Sequence, residues 1–306
     1  MVDIQKISKI GIGTWGVGGF MEPDNSIDIQ RQTDAMAHMF SESVNLVEIN
    51  MLYSAGKSVE ILGNAIKLSG VPRKDIFVCA SIHTKQTKSL DVSKGEVDSI
   101  FNLLETDYID TVQFNMSSFA VSGFEKITKW VDTLLASGKI RYTSITNEDL
   151  SLLKKYHEKY GDKLFSHEVG FNFEVRVHEE LNIIKYANEN DVRTVVFQPL
   201  RRNRTADLNW DPIVKLANKY GKTQNQVLLN WIVSKGYIPL TRSDNIDHIN
   251  ENIAALDFVI ENSDIQLLDD FKISNYTQPK IAWDMDSPGV RVDQLSNVFD
   301  DHYNQL

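Results

Sequence analysis

The chain has 306 residues, 42% of them apolar, and a formal charge of −10 at pH 7. That length and apolar content suffice for one large core, whereas the acidic balance argues against sequence-independent binding to nucleic acid or an anionic membrane, which needs a basic face. One cysteine, Cys79, excludes an internal disulfide, and no run approaches the roughly 20 apolar residues of a membrane span, so the expectation is a soluble, cytoplasmic protein with a small-molecule partner.

The first strand is expected over Ile10–Gly13, leading into a glycine-rich turn, Gly11-Ile12-Gly13-Thr14-Trp15-Gly16-Val17-Gly18-Gly19. Gly11, Gly13 and Gly16 have G-x-G-x-x-G spacing, but the dinucleotide fingerprint also needs a helix opening on the third glycine. Here Met21 to Asn25, with Pro23, reads as loop, so tight-turn glycines are the leading interpretation. In NLVEIN, Val47 to Ile49 ends a buried strand, and Ile61, Leu62, Ala65 and Ile66 recur at helical spacing. Glu48 and Tyr53 therefore fall on a strand-to-helix turn, where a βα barrel keeps its chemistry.

Further apolar runs follow at IFVCASI, IDTVQFN, IRYTSIT, FSHEVGF, RTVVFQP and GYIPLT, alternating with amphipathic stretches. The alternation is that of repeated βα units, and with the Ile10 and NLVEIN strands it predicts eight strands: an α/β, (β/α)8 TIM barrel as a single domain over residues 1–306. Val97, Ile100, Phe101 and Leu104, and likewise Ile127, Val131 and Leu134, form core-facing helical stripes. Gly138 and Gly236 fall at helix C-caps, while Thr223 with Gln226 and Ser263 with Gln266 have capping-box spacing. Cys79, inside an apolar run, reads as a buried thiol. The tail over 275–306 breaks the pattern with Pro279, Trp283, Pro288 and Gly289.

The stretch Glu48-Ile49-Asn50-Met51-Leu52-Tyr53 resembles the Asp-Thr-Ala-x-x-Tyr-Gly signature of the aldo-keto reductases, with Glu48 for Asp and Tyr53 as the family's proton donor. Gly11 to Trp15 is similar to the Leu-Gly-x-Gly-Thr-Trp that opens these enzymes, where Trp15 would border the substrate. The resemblance covers about residues 8 to 272, with the motifs in the family's order. It implies hydride transfer from NADPH to a carbonyl, with a Tyr donating the proton and a Lys, an Asp and usually a His tuning it. A phenol has an unperturbed pKa of about 10, so a neighbouring ammonium eases proton transfer at neutral pH. Ser81 stands where the family has its Lys and Asn115 where it has its His. His83 and Lys85 lie just beyond, either swinging back into the site or lying in a solvated loop.

On the cofactor side, the resemblance matches Thr146-Asn147 to the Ser-Asn pair that holds the nicotinamide carboxamide, with a helix N-cap as the other reading of Asn147. Glu168 replaces a Gln in that grip and, when ionised, can only accept hydrogen bonds. Phe197 takes the place of the ring-stacking aromatic, or is core, and Gln198-Pro199-Leu200 follows for Ser-Pro-Leu. Arg201-Arg202-Asn203-Arg204 occupies the pyrophosphate loop; three guanidiniums in an acidic chain suit phosphate, and a locally balanced surface cluster is the alternative. Arg242-Ser243 resembles the Lys-Ser at the adenosine 2′-phosphate and Glu251-Asn252 the pair at the adenine, while His248 replaces an Arg and Asp244 adds negative charge. The implied cofactor is NADP(H), with NAD(H) also open. Trp283 and Met285 are candidates for a lid over the substrate or for packing outside the barrel.

Glu48, His83, His167, Glu168 and His248 are scattered without metal-ligand spacing, and no phosphate-loop motif occurs. Two functions remain: a reductase with an atypical site, or a barrel that binds nucleotide without reducing carbonyls. The oligomeric state is open.

Overall fold

The computed structural model describes residues 2–82 and 89–273, apart from the side chains of Met116 and Ser117. His83, Lys85, Trp283, Met285 and the tail over 275–306 lie outside the described residues.

All eight expected strands form. They are β1 (Gly11–Gly13), β2 (Leu46–Asn50), β3 (Phe77–Ile82), β4 (Ile109–Asn115), β5 (Ile140–Thr146), β6 (Leu164–Gly170), β7 (Arg193–Phe197) and β8 (Ile238–Thr241). Each pairs in parallel with the next, and β1 closes on β8. The crossovers carry α1 (Ile29–Ser41), α2 (Lys57–Ser69), α3 (Leu90–Leu103), α4 (Met116–Ser122), α5 (Phe124–Ala136), α6 (Leu150–Tyr160), α7 (Val177–Glu180), α8 (Ile183–Glu189), α9 (Arg204–Asp207), α10 (Asp211–Tyr220), α11 (Gln224–Ser234), α12 (Ile246–Ile253) and α13 (Asn262–Asp270). No helix among the described residues is long and apolar enough to cross a membrane.

Period-two alternation divides each strand between two environments. Val47, Ile49, Val78, Ala80, Val112 and Phe114 face outward into a core shared with helix stripes such as Ile61, Leu62 and Ala65, or Ile127 and Val131. Facing inward, Leu46, Phe77, Phe165, Val195 and Leu240 plug the N-terminal end of the barrel together with Val2. Gly11 is required by this plug, because an added Cβ would lie 2.7 Å from Leu240 Cδ2. The expected G-x-G-x-x-G turn opens no helix; the chain runs through a loop until α1, so the tight-turn reading holds.

Asp110 ties the barrel floor together. Its buried carboxylate accepts from Arg73 Nη1 and Nη2, both at 3.1 Å, from Arg141 Nη1 at 2.8 Å and from the Val78 N–H at 2.9 Å. At the helix ends, Thr223 and Gln226 form the expected capping box of α11, and Gly138 and Gly236 adopt positive φ just past α5 and α11. Ser263 is a correction: α13 begins at Asn262 with Glu261 before it, which puts Ser263 inside the first turn rather than at the cap.

Candidate active site

The C-terminal strand ends carry the site, as barrel topology requires. Glu48 lies within β2, and the turn beyond that strand brings Tyr53 back so that its hydroxyl donates to Glu48 Oε1 at 3.3 Å. Thr14 fixes Glu48's backbone from β1, its hydroxyl donating to the Glu48 carbonyl at 2.9 Å. After Tyr53 the backbone is left-handed at Ser54, Ala55 and Gly56 (φ 52°, 49° and 88°), which is uncommon for the two non-glycine residues. The β1 loop holds that conformation: Ser54 Oγ donates to the Gly18 carbonyl at 2.8 Å, and Ala55 N–H to the Met21 carbonyl at 3.0 Å. Trp15, from this loop, meets the Tyr53 ring edge-on at 5.0 Å between centroids. Phe20 continues the stack at 5.6 Å from Trp15, and the Arg202 guanidinium lies 5.1 Å over Phe20.

Beneath Tyr53 the barrel interior is polar. Gln113 of β4 donates through Nε2 to Glu168 Oε2 at 3.0 Å and to Ser81 Oγ at 3.3 Å, and Cys79 Sγ donates to Gln113 Oε1 at 3.5 Å. Because β5 separates β4 from β6, the Gln113–Glu168 bond spans the lumen. Glu48 and Glu168 are 4% and 6% exposed, and neither has a cation within ion-pair distance among the described residues. Burial, reinforced by the charge of Glu168, raises the Glu48 pKa well above its usual value. Burial lifts Glu168 to about 7, opposed by the Gln113 hydrogen bond. The same burial and the two carboxylates push the Cys79 thiol up, consistent with the expected inert, buried cysteine.

A carboxyl with a raised pKa in the fold stabilises it fully below the unfolded value and loses that contribution as pH rises through the folded one. Glu168→Gln should therefore leave stability unchanged near pH 4.5 and raise it by roughly 1–3 kcal/mol above pH 7. Urea unfolding of both proteins across that range checks the sign; a variant less stable at pH 8 would contradict it.

The remaining strand ends are partly committed. Asn115 ends β4 and caps α4, its Oδ1 accepting from Ser118 N–H and Ser118 Oγ, both at 2.9 Å. Thr146 ends β5 and is buried. Asn147 does not cap α6; Asp149 does, accepting from Leu152 N–H at 2.8 Å. Instead Asn147 is left-handed (φ 51°), and its Oδ1 accepts from Gly170 N–H at 3.3 Å, turning the side chain across the end of β6. Phe197 is half-buried at the end of β7 and packs on the main core, followed by Gln198, buried Pro199 and Leu200. In the arginine run, Arg201 is tied to buried Glu174 at 3.5 Å, with Thr205 and Trp210 also donating to that carboxylate at 2.8 and 3.0 Å. Balance by a local acid thus describes Arg201; Arg202 lies over Phe20 of the β1 loop.

Past β8, Arg242 is exposed and makes no hydrogen bond or ion pair among the described residues. Its Nη1 lies 3.2 Å from where a Cβ on Gly16 would sit, so the glycine lets the guanidinium pack closely against the β1 loop. Asp244 is turned toward Arg31, at 3.7 Å between charged groups. Ser243 accepts from Asn245 N–H at 3.1 Å, His248 is exposed, and Asn252 is half-buried beside Glu251. The Glu251 carboxylate accepts from Thr223 Oγ1 at 2.6 Å.

The model of the aldo/keto reductase family matches residues 9–273. The chain belongs to the aldo/keto reductase family. A methylglyoxal reductase of Escherichia coli is 24% identical over 274 residues, covering 86% of this chain and 90% of the relative. An NADPH-dependent alpha-keto amide reductase of Saccharomyces cerevisiae is 26% identical over 218 residues, 66% of this chain and 68% of the relative. Among solved structures, an aldo/keto reductase of Klebsiella pneumoniae in complex with NADP and acetate superposes with a TM-score of 0.72 at 22% identity, over 86% and 90% of the two chains.

Within this aldo/keto reductase barrel, the roles of three polar residues were not read from the sequence. Gln113 was legible as a polar residue at an inward, period-two position in IDTVQFN. Asn50 is 2% exposed; its Oδ1 accepts from Leu52 N–H at 2.8 Å, while its Nδ2 has no partner. Glu174 gave no local signal, because its partners come from residues 201 to 210. No group of three or more His, Cys, Asp or Glu side chains among the described residues is placed to hold a metal ion.

Proposed function

We propose that this chain is an NADP(H)-dependent carbonyl reductase in which Tyr53 is the proton donor and Glu48 its proton source. The observation that carries the reading is the Tyr53 hydroxyl on the Glu48 carboxyl at the barrel mouth, flanked by Trp15. Two relatives named for carbonyl reduction, one of them NADPH-dependent, support the reaction class. The fit to a dinucleotide is supported by Arg242, exposed and without a hydrogen bond or ion pair among the described residues. Arg242 and Ser243 would hold the 2′-phosphate, His248, Glu251 and Asn252 would border the adenosine, and Arg201 and Arg202 would flank the pyrophosphate. Thr146, Asn147 and Glu168 would hold the carboxamide, with Phe197, Pro199 and Leu200 along the ring.

When bound, the reduced nicotinamide supplies a hydride. Tyr53 gives its proton to the carbonyl oxygen and recovers one from Glu48, which burial keeps protonated to higher pH than an ordinary carboxyl. Trp15 packs on the Tyr53 ring and limits its rotation. NAD(H) remains compatible, because only Arg242 and Ser243 would distinguish it.

A second reading, a nucleotide-binding barrel without reductase activity, draws on Ser81, which is bonded to Gln113 and supplies no positive charge to the phenol. Titrating nicotinamide fluorescence tests the shared part of both readings. Arg242→Ala should weaken NADPH binding about tenfold or more while changing NADH binding little, since a charge-assisted phosphate contact is worth roughly 1.5–3 kcal/mol. Equal losses for both cofactors would remove Arg242 from that role.

A further inference from the structure

The polar layer under Tyr53 has an unusual charge balance. Two buried carboxyls, Glu48 and Glu168, share the lumen, and their described hydrogen-bond donors are neutral: Tyr53 on one, Gln113 on the other. Among the described residues neither carboxyl has a cation within ion-pair distance; Arg201 is tied to Glu174 and Arg202 lies over Phe20. Asn115, at the end of the neighbouring strand, has its carbonyl oxygen fixed in the α4 cap. Asn50 adds an independent sign that an oxygen acceptor belongs here. It lies two residues beyond Glu48 on the same face of β2, paired in register with Ser81, and its buried Nδ2 donates to nothing. A buried donor without an acceptor is costly, and a ligand oxygen would relieve it.

Building on the reductase reading of this same site, we propose that it takes uncharged carbonyl compounds bearing a second oxygen beside the reacting carbon, and excludes those in which that oxygen belongs to a carboxylate. Glu168 is the specificity-determining group. A substrate carboxylate would bring its charge close to that of Glu168, which is ionised at pH 8 and whose described hydrogen-bond donor is neutral, and like charges several Å apart at an effective dielectric of about 20 repel enough to weaken binding roughly ten- to a hundredfold. A neutral ester, amide or hydroxyl oxygen meets no such penalty and can accept from Asn50.

Pyruvamide and pyruvate form a suitable pair, because they share size and ketone and differ in charge. With NADPH bound to the full chain, calorimetry at pH 8 should find pyruvamide at least tenfold tighter than pyruvate, and kcat/KM should follow the same order. Glu168→Gln, which keeps the shape and removes one charge, should shrink the ratio severalfold or more. Equal or tighter binding of pyruvate to the wild type would overturn the proposal, as would an unchanged ratio in a folded Glu168→Gln variant. The wild-type binding pair decides even if that variant does not fold. If the reductase reading itself were wrong, neither compound would be reduced, yet the two affinities would still report the charge preference.

Discussion

Replacing Asp110 with alanine is expected to destabilise the fold by about 3–5 kcal/mol, the usual cost of removing one partner from a buried ionic cluster. Asp110 is 1% exposed, and Arg73 and Arg141 are each 17% exposed at the side chain, so the variant leaves two guanidiniums largely out of water with no counter-charge. The Val78 N–H loses its acceptor as well, one residue before the register between β3 and β4 begins at Cys79 and Thr111. Arg141 also donates to the Val2 carbonyl at 2.9 Å, so the N-terminal segment under the barrel should exchange its amides faster. Urea unfolding monitored by tryptophan fluorescence gives the stability. A loss below about 1 kcal/mol, the range of exposed pairs, would show that the cluster is solvated and not a structural anchor.

Tyr53→Phe should lower carbonyl reduction about 10²- to 10⁴-fold, the typical worth of general acid assistance, while leaving cofactor affinity within a factor of a few. The phenyl ring keeps the edge contact with Trp15, so the loss isolates the hydroxyl. Ser81→Lys should act in the opposite direction. An ammonium beside the phenol favours phenolate and lowers its pKa, so turnover should rise and its alkaline limit should move to lower pH. The gain is expected to be modest, because the new side chain displaces the Gln113–Ser81 bond and has no shell built to aim it. Kinetics across pH 5 to 10 for both variants measure these effects. A Tyr53→Phe enzyme with unchanged turnover would remove Tyr53 from the chemistry.

The barrel was legible because strand burial is written in consecutive residues: IFVCASI and IDTVQFN are continuous enough to predict β3 and β4, and alternation assigns their faces. The Glu48–Tyr53 juxtaposition was likewise local, five positions apart across one turn. What stayed hidden was long-range. Nothing near Arg201 announces that Glu174 neutralises it, and nothing near Glu168 announces that Gln113 bonds to it across the lumen. Asn147 misleads for a related reason: an Asn just after a strand suits a helix cap, but Asp149 occupies that position two residues later and frees Asn147 to turn toward Gly170. Ser263 fails more simply, since α13 starts one residue before it and capping spacing alone does not fix the register.

The reaction proposed for this barrel is hydride transfer between a nicotinamide and a carbonyl carbon. Incubation with NADPH deuterated at C4 and an uncharged ketone such as pyruvamide, followed by mass spectrometry and NMR of the product, tests it in one measurement. Deuterium is expected on the new carbinol carbon, formed by the wild type and strongly reduced with Tyr53→Phe. Tight NADPH binding with no deuterium transferred to any uncharged aldehyde or ketone would contradict it.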